Sequence, residues 1–236
     1  VCAPSLQLTK WRGELKQRLE AGHAAGAQRG ASQVLANSLL GALLAAATAW
    51  LRAASASGSS SAGAAASLTA AAFVGFYACC CADTWSSELG ITSSAPPQLI
   101  TTGRRVPPGT NGGVSTLGSA AAAAGGLLMG CCYCGAAALS TALRGSSSGA
   151  ADWRLVPLAL AAGMAGSLLD SLLGATLQYS GFDERSGRAV SGRPPLGQPV
   201  KHVGGRDALS NTGVNVAASL LTSALTAAVG ARLLGP

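Results

Sequence analysis

Residues 63–90 read GAAASLTAAAFVGFYACCCADTWSSELG, and the fold turns on how this stretch is taken. From Gly63 to Ala82 it carries no charge and is long enough to cross about 30 Å of hydrocarbon as a helix. Asp83 and Glu88 then end the apolar run. Four more runs of the same character lie outward from it, at residues 33–53, 114–143, 155–178 and 213–234. With 11% charged and 49% hydrophobic residues in the chain, they predict an all-α protein of about five transmembrane helices. The runs are richer in Ala, Gly and Ser than in Leu, so each inserts weakly. Leu and Val contribute only about −0.3 to −0.6 kcal/mol apiece at a helix centre. A soluble helical protein with a buried core is therefore the alternative.

The distribution of charge argues for the membrane. If the N-terminal segment is cytoplasmic, five spans place residues 83–113 and 179–212 on the same side. That side then holds Lys10, Arg12, Lys16, Arg18, Arg29, Arg104, Arg105, Arg185, Arg188, Arg193, Lys201 and Arg206, twelve of the 16 basic residues. Arg52, Arg144, Arg154 and Arg232 fall opposite, as the positive-inside rule requires. The expected organisation is a basic connector over residues 1–32, then a multi-pass helical membrane domain over 33–236 with the lipid bilayer as its partner. The net charge of +7 needs no nucleic acid, because the basic residues flank spans and form no stripe interleaved with aromatics. Cys2, Cys79–Cys81, Cys131, Cys132 and Cys134 lack paired CxxC spacing and read as small helix-packing residues. His23 has no partner nearby in sequence. A chain that begins at Val1 reads as truncated at its N terminus.

The residues able to do chemistry cluster in the loops of the basic side. Asp83 and Ser87 share a helical face, whereas Asp83 and Glu88 point roughly 140° apart, so they need different partners or one ion at a helix break near Gly90. Pro96, Pro97, Pro107 and Pro108 break the next segment. Gly109-Thr110-Asn111-Gly112-Gly113 then leads into the third span. Glycines allow close approach of a ligand, and the free N–H groups of the helix start attract anions. This is no Walker A loop, because the GKS or GKT ending is absent, and a glycine-rich helix entry can be only a turn. With Arg104 and Arg105 close by, it reads as a phosphate site. In the fourth span, Gly163, Gly166, Ser167, Asp170, Gly174 and Gln178 form a small, polar seam that should face other helices. Asp170 within this span is either a functional acid or a structural hydrogen-bonding group. The last loop adds Lys201, His202 and Asn211, followed by Asn215 inside the fifth span.

ADTWSSELG, PPQLITTGRRVPPGTNGGVSTLG, GSLLDSLLGATLQYSGFDE and KHVGGRDALSNTGVNV together resemble the transmembrane protein 19 family, part of a wider membrane family called domain of unknown function 92. The resemblance runs from Leu8 to about Leu221. The wider family includes plant phytyl-phosphate kinase, and it implies Mg²⁺-dependent phosphoryl transfer from a nucleotide triphosphate to an isoprenyl phosphate. On that reading Asp83, Glu88 and Asp170 are the catalytic and metal-holding acids. Arg104, Arg105, Gly109, Thr110, Asn111, Gly112, Gly113, Lys201, Asn211 and Asn215 bind phosphate. The chain departs from the kinase branch in its TNGGVS and SLLDSLLGATLQ segments. A transporter or flippase using the acids for a coupling cation, and a non-catalytic membrane protein, are the alternatives.

Overall fold

A computed structural model describes residues 7–8, 10–20, 34–35, 37–144, 151–194 and 197–234. Cys2, His23 and most of the connector beyond Glu20 lie outside the described residues. A short helix, α1 (Gly13–Leu19), precedes five long ones: α2 (Leu39–Ala56), α3 (Ser60–Gly90), α4 (Thr116–Arg144), α5 (Leu155–Leu177) and α6 (Asn211–Leu233). All five long helices have the length and apolarity to cross a membrane. The largest departure from the expected bounds is in α3, which runs on past Ala82 to Gly90. Along its polar end the Thr84, Ser86 and Ser87 hydroxyls are satisfied within the helix, donating to carbonyls three or four residues back at 2.8–3.1 Å. At 31 residues α3 is about 46 Å long, more than the hydrocarbon thickness.

The helices pack with small residues inside and large apolar residues outside. The buried set is mainly Ala, Cys, Ser and Thr, while Leu43, Leu127, Leu139, Leu143, Leu220 and Leu225 are exposed. In water such leucine-covered surfaces would aggregate, but in lipid they face the acyl chains. That inversion removes the soluble alternative. Trp50, in the second half of α2, and Trp153, just before α5, are exposed, as tryptophans of an interfacial belt are. The α3 helix is the most buried of the five and contacts each of the other four. Helices α4 and α5 touch backbone to backbone at Gly126 and Gly163, where a Cβ on Gly163 would come within 2.8 Å of the Gly126 Cα. Cys79, Cys81 and Cys134 are buried in this packing, whereas Cys131 and Cys132 are exposed on α4.

The loops of the basic side hold small antiparallel sheets that a purely helical expectation does not include. Strand β1 (Gln98–Leu99) pairs with β2 (Gly113–Val114). Strands β3 (Ser180–Asp183), β4 (Arg188–Ser191) and β5 (Val200–Gly204) form a second sheet with β3 at its centre. The β3–β4 turn has a local cause. The Asp183 carboxylate accepts from Arg185 N at 2.9 Å and Ser186 Oγ at 2.7 Å, and Gly187 takes the positive φ of 68° that closes the turn.

Candidate functional site

The five spans alternate in direction, so the C-terminal ends of α3 and α5 and the N-terminal ends of α4 and α6 meet at one face. There they surround a cavity of about 450 Å³. Asp83 and Glu88 reach it from the last turns of α3, Asp170 from α5, and Asn211 and Asn215 from the first turns of α6. The Gly109–Gly113 loop forms another wall. Ser86 Oγ and Ser167 Oγ, 2.9 Å apart, tie α3 to α5 at this level.

Asp83 and Asp170 both line this cavity, close enough for their carboxyl groups to interact. Two carboxylates so placed repel unless a proton or a cation lies between them. Asn215, with its amide turned to satisfy its surroundings, donates to Asp170 Oδ2 at 3.1 Å and to the Asn211 carbonyl at 2.9 Å. Gln178 Nε2 approaches Asn211 Oδ1 at 3.5 Å. Asp170 is thus both a structural hydrogen-bonding group and part of a polar cavity.

The glycine loop is shaped by the protein around it. Gly112 has φ 76°, and a Cβ there would lie 2.4 Å from the Ala175 Cβ and 2.5 Å from the Ser171 carbonyl oxygen. Its glycine is required by close approach to α5. The loop is also seated on β3: Asn111 N donates to Ser180 Oγ and Asn111 Nδ2 to the Tyr179 carbonyl, both at 3.1 Å. Thr110 is buried, and its hydroxyl donates to the Pro107 carbonyl at 2.7 Å. Beyond the loop, Ser115 Oγ accepts from Gly118 N at 3.1 Å as the cap of α4.

Three basic residues expected at the site are elsewhere. Arg104 and Arg105 do not line the cavity and are exposed. The cause is the fold of the proline-bounded loop: Leu99 N donates to Arg104 O at 2.8 Å and Arg105 bridges to Gln98, which places both arginines on the outer limb of a ribbon. Lys201 is likewise exposed on β5, 3.9 Å from the Glu184 carboxylate. The expected trio of metal-holding acids also divides. Among the described residues no three acidic, histidine or cysteine side chains are grouped closely enough to hold a metal ion. Glu88 is ion-paired at 2.5 Å with Lys16, whose side chain is fully buried and also donates to the Leu8 carbonyl at 2.6 Å. This leaves Asp83 and Asp170 as the pair.

Lys16 and Glu20 belong to the site's surroundings although neither stood out in the sequence. Glu20 lines the cavity and bridges to Ala189 of β4. Both sit in the charged run TKWRGELKQRLE, which has the local pattern of a solvated helix; only contact with α3 and β4 distinguishes them. Ser167 and Gln178, by contrast, were legible in the polar seam of the fourth span, and both line the cavity. Its carboxyl-bearing residues are Glu20, Asp83, Glu88 and Asp170, and among the described residues no lysine or arginine lines it.

Five apolar helices packed through small residues, with a carboxyl-lined cavity at one membrane face, define a multi-pass integral membrane protein. The family model described as integral membrane protein DUF92 matches residues 3–223, and the chain belongs to that family. It is similar to Protein PGR of Arabidopsis thaliana, 50% identical over 72 residues that cover 30% of this chain and 24% of that protein. No solved structure matches.

Proposed function

We propose that the cavity is the active site of a phosphoryl transferase that passes a phosphoryl group from a nucleotide triphosphate to an isoprenyl phosphate at the membrane face. The observation that carries this reading is the convergence of Asp83 and Asp170 from two helices on one cavity lined by acids. The donor set fits a hard divalent cation, since Mg²⁺ is ordinarily held by one or two carboxylates together with substrate phosphates. Asp83 and Asp170 would hold it, and its charge would neutralise phosphate oxygens.

The chain's own residues supply the rest. Asn215 orients the Asp170 carboxylate through the hydrogen bond to Oδ2. The N-terminal turn of α4 directs the positive end of its dipole at the cavity wall formed by Ser115, Gly118 and Ser119, where an anionic phosphate is favoured. Phosphoryl transfer asks mainly for positioning and charge stabilisation, which groups of these kinds can supply. Purified protein in detergent, given Mg²⁺, nucleotide and an isoprenyl phosphate, is expected to form the isoprenyl diphosphate, and D83N to lose it. No turnover across nucleotides and prenyl phosphates sinks the proposal. The same acid lining also supports a carrier that binds a coupling cation, which would move substrate only across a sealed vesicle.

A further inference from the structure

Beside the polar cavity, a second hollow runs along the outer surface of α5 and α6. It has a volume of about 490 Å³ and is almost wholly apolar. Ala161 and Ala165 are exposed along it, and Leu168, Leu172 and Leu225 rise beside them. From Leu158 to Leu172 the trough follows α5 for about 21 Å at 1.5 Å per residue. Ile100, from the loop between β1 and β2, also lines it. Leu168 belongs to the walls of both the trough and the polar cavity.

We infer that the trough seats the hydrocarbon tail of a single-chain lipid phosphate whose headgroup occupies the polar cavity. This rests on reading the cavity as a phosphate site. The occupant follows from the surroundings. The trough lies on lipid-facing helices, so it is filled by hydrocarbon in the membrane, and the shared Leu168 wall joins it to a polar chamber at the membrane face. A lipid with one chain and a small charged head matches one apolar trough that shares a wall with one polar chamber. The alanines keep the floor low, and a large side chain at residue 165 fills it.

The test uses the full chain in phosphatidylcholine nanodiscs and a single-chain lipid phosphate with a diazirine in its tail. Adducts mapped by mass spectrometry are expected to concentrate on Leu168, Leu172 and Leu225, to be competed by the unlabelled lipid phosphate and not by the corresponding alcohol. Ala165→Phe should lower this labelling at least five-fold, whereas Leu139→Phe on the outer face of α4 should not change it. Labelling spread equally over Leu139 and Leu143 overturns the inference, as does equal labelling of the trough by a diacyl phosphatidic acid probe. If Ala165→Phe misfolds, the wild-type adduct map and the alcohol competition decide. Trough labelling without any phosphoryl transfer would remove the catalytic reading and leave the tail seat standing. Turnover with scattered adducts would do the reverse.

Discussion

Asp170 of α5 receives a hydrogen bond from Asn215 of α6 at 3.1 Å, and its carboxyl group shares the cavity with Asp83 of α3, close enough to interact. Three helices therefore converge on one carboxyl group near the membrane face. Removing either acid should abolish cation binding at the pair. D83N and D170N are each expected to lower Mg²⁺-dependent turnover at least a hundred-fold, and the double variant to be no worse than the more impaired single one, because the two act as a unit. Asp183→Asn, at the last residue of β3 and outside the cavity lining, should stay within two-fold of wild type. Steady-state rates across a Mg²⁺ titration check this, and full additivity of the two losses contradicts it.

Lys16 and Glu88 bring the N-terminal helix onto the end of α3. Deleting the lysine leaves a largely buried carboxylate without its cation, which costs about 3–5 kcal/mol in comparable pairs. Lys16→Met should lower the melting temperature by at least about 6 °C, taking roughly 2–4 °C per kcal/mol for a chain of this size. Lys16→Met with Glu88→Gln should recover part of that loss. Thermal unfolding in detergent gives both values, and an unchanged melting temperature for Lys16→Met would mean that the pair contributes little.

Arg104 and Arg105 are exposed on the outer limb of the loop between β1 and β2. Replacing both with alanine should leave the KM for the phosphate substrate within two-fold and weaken association of detergent-free protein with anionic lipid headgroups, where exposed basic residues act. Kinetics in nanodiscs of neutral and anionic lipid separate the two effects. A ten-fold rise in KM in neutral lipid would bring the arginines back into the site.

On the opposite face, the Arg154 side chain hydrogen-bonds the Asp152 carboxylate, holding Asp152 below the ordinary carboxylate range, and donates to the Leu233 carbonyl at 2.6 Å. Because the folded-state pKa is lowered, the pair stabilises the fold above the ordinary carboxylate pKa of about 4, and this is lost as pH falls below it. Asp152→Asn should therefore unfold at a lower temperature than wild type at pH 7, by a gap that narrows at pH 3. Melting curves at the two pH values read this directly, and a gap undiminished at low pH argues against an ionic cause.

Five spans, their order and the side on which polar loops gather were legible in residues 33–53 through 213–234, because the transfer of an apolar run into lipid depends on its own composition and length. The seam through Ser167, Asp170 and Gln178 was legible for a related reason: helical periodicity alone puts those groups on one face. Tertiary structure decided which polar groups meet. Lys16 reaches a carboxylate 72 positions away, while Arg104 and Arg105, only a few residues from Gly109, turn outward. Neither outcome has a local signature, since a salt bridge across the fold and the direction of a short ribbon are set by how helices and strands pack. Sequence thus determined a membrane bundle with its acids near one surface. Packing determined that Asp83 and Asp170 share the cavity and that Glu88 is held by a lysine from the N-terminal helix.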